Sequence, residues 1–442
     1  MDNLQQTTEQ PVASADDVSP DGTTGTERRN AIALILHQVL YRVAWIFKTE
    51  SVVMPAFLDS IASAGWVSGL LPPINRLGQS VTPLLLSGRL RDTPVKSSWL
   101  PRTTLLMGVP FVMLSGLMAW PGAGTQQWMP GIFLCLYAMF FATAGTNQAV
   151  FNTVQGKLIT ANRRGRLLAI AGYVGSPLAI LAVLCVMRPW VSRTPPLFGA
   201  IFLFTGCTFV TASFCARFLV EDPDRTAPRV SRRQPLFESV QFLRNDHHLR
   251  RLCLLSGLVA CAMVIFPFYQ RLGRSLPGYE SRMLMTWVIC QNLGAALFSW
   301  IAGRIADSRG TRSALRTITA ASVLSPVVPL VLREAGTADW YWMTFVWLGT
   351  VPVTFRMKMN YVLELTEPQR HPIYISTVAL STTPVILLAP LAGALVSRLG
   401  YALPFMLVAA AGVVAWIMTL FIDEPRSPDF RRADAPDSAT FP

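Results

Sequence analysis

The stretch "MLMTWVICQNLGAALFSWIAGRIADSRGTRSALR", Met283–Arg316, decides the architecture. Its first twenty residues carry no charge, and the remainder carries four arginines and one aspartate. An uncharged run of about twenty residues matches a helix crossing a bilayer core of roughly 30 Å. The sudden basic turn marks where such a helix leaves the lipid. A weaker copy, "GRLRDTPVKSSWLPR", begins at Gly88.

Outward from this stretch the pattern recurs. The chain has 442 residues, 52% hydrophobic and only 14% charged, where a soluble domain carries roughly 25% charged residues. Twelve candidate spans emerge, near 31–56, 65–87, 103–121, 128–151, 166–188, 196–219, 250–270, 282–302, 315–333, 339–361, 376–397 and 402–422. The expected fold class is therefore an all-α membrane protein, with the lipid bilayer as its first partner. The net charge of +13 would suggest nucleic acid in a soluble protein. Here the basic residues sit in short stretches between apolar runs, and no nucleic-acid partner is expected. The seven cysteines lie inside the runs without ligand spacing, and the four histidines form no metal motif. No metal is expected.

Alternating the connections across the membrane sorts the cations. The side that receives residues 1–30 collects 28 of the 38 lysines and arginines. The opposite side holds seven (Arg188, Arg193, Arg271, Arg274, Arg282, Arg333 and Arg398), and Arg42, Lys48 and Arg76 fall within spans. This asymmetry places both termini in the cytoplasm of a multi-pass cell-membrane protein. Residues 1–30 are polar and acidic, unlike a cleavable signal, and read as a disordered cytoplasmic tail. The polar segment 221–249 reads as a cytoplasmic linker between a six-helix bundle at 31–220 and another at 250–422, with 423–442 as a second tail. The halves echo each other: the sixth span ends "FLVEDP" and the twelfth "FIDEP".

These features resemble the major facilitator superfamily (MFS). That family has twelve transmembrane helices in two six-helix bundles, and a G-x-x-x-D-R-x-G-R-R loop after the second and eighth helices. The second copy here matches at Gly303, Asp307, Gly310 and Arg312, with Arg304 and Arg309 nearby. The first keeps Gly88, Asp92 and Lys96, but has Thr93 and Val95 where the family favours arginine and glycine. The resemblance implies a latch in which Asp92 and Asp307, held by cations, tie the halves together on the cytoplasmic face. Chemistry gives the motif a rationale. Glycine lets a neighbouring helix approach, and the aspartate meets the positive end of the following helix. Simple anchoring by positive charge remains the alternative.

Charge inside a span is costly and functional by default. In the first span Gln38, Arg42, Trp45 and Thr49 share one helical stripe, with Glu50 on its flank and Lys48 pointing away. Asn75, Arg76, Gln79 and Ser80 follow in the second. Asn147, Gln148, Phe151, Asn152 and Gln155 give the fourth a polar face, and Gln291 and Asn292 mark the eighth. Arg356 and Lys358 read as anchors near a span end. Candidate substrate-binding residues are Arg42, Arg76, Gln38, Asn147, Phe151 and Gln291, with helix-to-helix glue as the competing role for the amides. Glu50, the one carboxylate inside a span rather than at its first residue as Asp339 is, is the candidate proton-coupling residue. No phosphate loop, nucleophile elbow or HExxH motif is present, so neither an ATP-driven pump nor an enzyme is expected, and no cofactor.

The expectation is a secondary active transporter that moves a small organic solute by alternating access, with anions favoured and protons as the candidate coupling ion. A multidrug exporter of the same fold and a non-transporting membrane sensor or scaffold are the alternatives. The absence of sequons and of a eukaryotic targeting signal fits a bacterial inner membrane.

Overall fold

Two prolines shape the first span of each half. Pro55 has no N–H to offer the carbonyl of Ser51, and its ring crowds that carbonyl. The first span accordingly breaks: α1 (Gly25–Phe47) ends, five residues unwind, and α2 (Val53–Ile61) begins. The main-chain N–H groups of Val53 and Met54 both turn back to the carbonyl of Thr49, at 2.9 and 3.1 Å. Pro267 does the same later, where α8 (His247–Val264) gives way to α9 (Phe266–Arg274) at Ile265. The first span was expected to run unbroken over 31–56.

The computed structural model describes residues 25–62, 65–193, 195–223, 243, 246–365 and 371–424. Between the two broken spans lie α3 (Leu71–Asp92), α4 (Trp99–Met118), α5 (Met129–Leu158), α6 (Ala161–Ala182) and α7 (Phe198–Ala216). After α9 come α10 (Met283–Arg309), α11 (Thr311–Glu334), α12 (Trp342–Leu348), α13 (Thr350–Leu365), α14 (His371–Ser381), α15 (Ala389–Leu399) and α16 (Ala402–Met418). Nine helices among the described residues are long and apolar enough to cross a membrane. The remaining expected spans are helical too. They are covered by α3, by α12 with α13, and by α16, which has 17 residues. No strand occurs among the described residues. Large apolar side chains such as Tyr173, Leu181, Leu254, Trp300 and Met406 face outward, as they do where the solvent is lipid.

Residues 25–30, assigned to the tail for their polarity, form the first turns of α1. Glu27 holds them in place by accepting hydrogen bonds from the Thr160 amide and hydroxyl, at 3.0 and 2.9 Å. The expected linker to 249 is likewise shorter, because Asp246 caps α8 by accepting from the amides of His248 and Leu249.

Each half packs around aromatic side chains: Phe57, Phe111, Phe140 and Phe209 in the first, and Tyr269, Trp287, Tyr341 and Phe345 in the second. Small residues bring helices together at equivalent places. A methyl group on Gly145 would meet the Gln79 backbone at 2.7 Å, locking α5 to α3. A methyl on Gly294 would overlap the carbonyl of Val346, locking α10 to α12.

The halves meet mainly at the end distant from the termini. There α2 packs on α9, and the short helix Gly65–Ser68 packs on α15. Asp59 of α2 accepts a hydrogen bond from Gln270 at 2.7 Å and faces Arg271 at 4.0 Å, and Arg274 donates to the Ala56 carbonyl at 3.3 Å. At the end that bears the termini, hydrogen bonds such as those of Asn30 with Val220 and of Tyr361 with Asp423 tie each half to itself.

Candidate functional site

Between the halves lies a cavity of two adjoining chambers, of about 410 and 540 Å³. Trp45, Ile46, Gln79 and Asn292 line both and form a waist. The break in the first span supplies the wall of the larger chamber, through Thr49, Glu50 and Ser51. An unwound segment at membrane depth is tolerated where it lines a cavity, and it frees polar groups for ligand contact.

Of the residues singled out from sequence, Gln38 and Arg42 line the smaller chamber, and Arg76, Gln291 and Glu50 the larger. Arg42 reaches the Ser176 hydroxyl at 3.4 Å. Arg76 donates across the cavity to the carbonyl of Ala379, while its Nε is buried without a partner. Gln291 accepts from Ser51 and so also bridges the halves at the cavity.

Asn147 and Phe151 are corrections. Asn147 is buried within the first half, where its amide donates to the hydroxyls of Thr103 and Thr104 at 2.9 and 2.7 Å. Thr104 in turn meets His37 at 3.0 Å, and the His37 ring stacks on Phe151. This network glues α5, α4 and α1 together. The side of α5 that faces the cavity carries Ala144 and Gln148 instead.

Lys48 is a further correction. Once the helix unwinds, its side chain no longer points away. It is fully buried, with Nζ at 2.6 Å from Glu50 and 3.2 Å above the centre of the Trp45 ring. Glu50 also accepts from Asn75, which accepts from Gln79. The proton-coupling candidate therefore belongs to a four-residue chain. Arg356 and Lys358 are not surface anchors. Arg356 lines the larger chamber and donates to Ser299 at 2.8 Å. Lys358 is buried, with its Nζ at 2.5 Å from the Ser256 hydroxyl.

The loop motif divides. Gly310 alone joins α10 to α11, at φ +87°, and a methyl group there would overlap the Glu424 carboxylate. Arg312 donates its amide to Glu424 at 3.1 Å and its guanidinium to the Leu420 carbonyl at 2.7 Å. Gly303 has open space around it, so no close helix approach depends on it. Asp307 is exposed and makes no hydrogen bond or ion pair among the described residues. The carboxylate at the N-terminus of α11 is that of Glu424, which sequence reasoning missed. In the first half Glu221 plays the matching part, accepting from the Ser97 amide and from Lys157 Nζ at 2.7 Å. Burial pushes the Glu221 carboxyl up, but the Lys157 and Ser97 hydrogen bonds outweigh it and hold the group below its ordinary value. The signal for both was the "FLVEDP" and "FIDEP" echo. Lys96 opens a short turn at Lys96–Ser98 ahead of α4. Gly88 and Asp92 stand in the last turns of α3, and their side chains lie outside the described residues.

The helical halves, the central cavity and the packing of both halves at one end define the major facilitator fold. Solved structures agree. A mutant of the nucleoside transporter NupG matches with a TM-score of 0.67 at 12% identity, over 90% of this chain and 99% of its own. A D-xylose-proton symporter matches at 0.63 and 13%, over 91% and 99%. A bacterial homologue of the human lysosomal transporter Spinster, inward-facing and unoccupied, matches at 0.60 and 12%, over 92% and 100%. No family model and no curated protein matches the sequence.

Proposed function

We propose that the chain is a secondary active transporter that carries a small organic anion across a cell membrane by alternating access, with protons as the coupling ion. The observation that carries this reading is the charge of the cavity. Arg42, Arg76 and Arg356 line it without a carboxylate partner among the described residues, and the one cavity carboxylate, Glu50, is held by Lys48. A guanidinium keeps its proton, so in a low-dielectric site it calls for an anion. Packing of the halves at the distal end supports a state open toward the termini. One structural neighbour is named a proton symporter, which supports the coupling ion. Reconstituted protein should exchange labelled for unlabelled anion across proteoliposomes. Arg42→Ala should cut that exchange by more than about tenfold, the worth of one charge-assisted contact. Full exchange by Arg42→Ala would remove the anion site.

The excess of basic residues on the terminal side supports a cytoplasmic location for both termini. A reporter active only in the bacterial cytoplasm should work when fused after residue 235 or at the C-terminus and stay silent after residue 125. Activity at 125 would overturn this orientation.

A further inference from the structure

The guanidinium groups assigned to the substrate do not share a chamber. Arg42 lines the smaller one, with Gln38 and Gln148. Arg76 and Arg356 line the larger, with Gln291. Each pole is satisfied only by neutral groups among the described residues. Arg42 has the Ser176 hydroxyl, Arg356 the Ser299 hydroxyl, and Arg76 one main-chain carbonyl, with its Nε buried and unpartnered. Lys358, on the same helix as Arg356, is buried against the Ser256 hydroxyl. Glu50 cannot balance either pole while it is paired with Lys48 at 2.6 Å.

We propose that the transported solute carries two anionic groups, one held by Arg42 and the other by Arg76 with Arg356, its body crossing the waist at Trp45 and Asn292. The proposal rests on the anion-transport reading and narrows it. A monoanion at Arg42 leaves the Arg76 and Arg356 charges uncompensated, and one at Arg76 leaves Arg42 so. A monoanion therefore forms one charge-assisted pair and leaves the second pole as it was, while a dianion forms both. A second anionic group relieves both poles at once. Planar guanidinium forks suit carboxylate and phosphate equally, and the carboxamides of Gln38, Gln148 and Gln291 offer N–H donors to the remaining oxygens. The poles are not far apart, since the two chambers adjoin and share Trp45, Ile46, Gln79 and Asn292. The solute is therefore short: a small dicarboxylate or a phosphate ester bearing a carboxylate.

The test uses the full-length protein in detergent and measures Kd by calorimetry. The probes are short straight-chain dicarboxylates and carboxylate-bearing phosphate esters, each beside its half-amide, which removes one anionic group at nearly constant size. At least one dianion should bind about tenfold to hundredfold more tightly than its half-amide, the worth of one charge-assisted pair. Arg42→Gln and Arg76→Gln should each bring dianion and half-amide affinities together, because a pole without its cation no longer distinguishes a carboxylate from an amide. Equal affinity for dianion and half-amide in the wild type would overturn the two-pole site and leave the anion reading standing. Binding confined to neutral or cationic solutes, or no binding by any anion, would remove both. The comparison within the wild type needs no variant to fold, so it decides the matter even if a substitution fails.

Discussion

Lys48→Met is expected to destabilise the protein by about 3–5 kcal/mol, and adding Glu50→Gln is expected to recover most of that loss. Lys48 is fully buried, its Nζ lies 2.6 Å from Glu50, and Trp45, Phe140 and Phe141 surround the ammonium. Removing one member of a buried ion pair strands the other charge, which costs about 3–5 kcal/mol. Removing both leaves a methionine that fits the aromatic cage and a neutral amide that still accepts from Asn75. Equilibrium unfolding in one detergent, for wild type, both single variants and the double variant, gives the coupling directly. Simple additivity of the two losses would mean that the pair does not hold the unwound segment together.

That pair also shows where sequence reading stops. Apolar runs and charge asymmetry made the helical membrane fold legible. Placing Lys48 required knowing that the helix does not continue, because at a helical pitch its side chain points away from the Arg42 stripe. The signal was present in Pro55, which denies Ser51 its helical hydrogen bond. Prolines are common within membrane spans, however, and several here leave the helix unbroken. Pro83, Pro110 and Pro177 all lie inside continuous helices.

Periodicity has a second limit at α5. It placed Asn147 and Phe151 correctly on one face, but a helix in a bundle has several neighbours. The Asn147 face looks at Thr103 and Thr104 of α4 rather than at the cavity. Arg42 and Arg76 were assigned to the cavity on a stronger argument, since a guanidinium has few tolerable places in a membrane. The loop motif illustrates a third limit. Glu424 lies more than a hundred residues from Gly310, and only the fold brings its carboxylate to the N-terminus of α11.

Glu50→Gln, made in the Lys48→Met background so that no charge is stranded, is expected to abolish pH-driven accumulation while leaving anion exchange intact. Charge balance links the two ligands. A proton on Glu50 cancels its negative charge and leaves the Lys48 ammonium resting on the Trp45 ring, 3.2 Å from its centre. The cavity thereby gains one unit of positive charge and binds an anion more tightly. By reciprocity the bound anion favours the proton. Proton and anion then cross together, and one proton per turnover can sustain about tenfold accumulation per unit of pH difference. The double variant has no such proton to carry, but its Arg42 and Arg76 contacts remain. The measurement is uptake into proteoliposomes with an imposed pH difference, beside exchange at equal pH. Accumulation at the wild-type level by the double variant would eliminate Glu50 as the proton carrier. Loss of exchange together with accumulation would place the pair in the anion site itself, so the two assays separate coupling from binding.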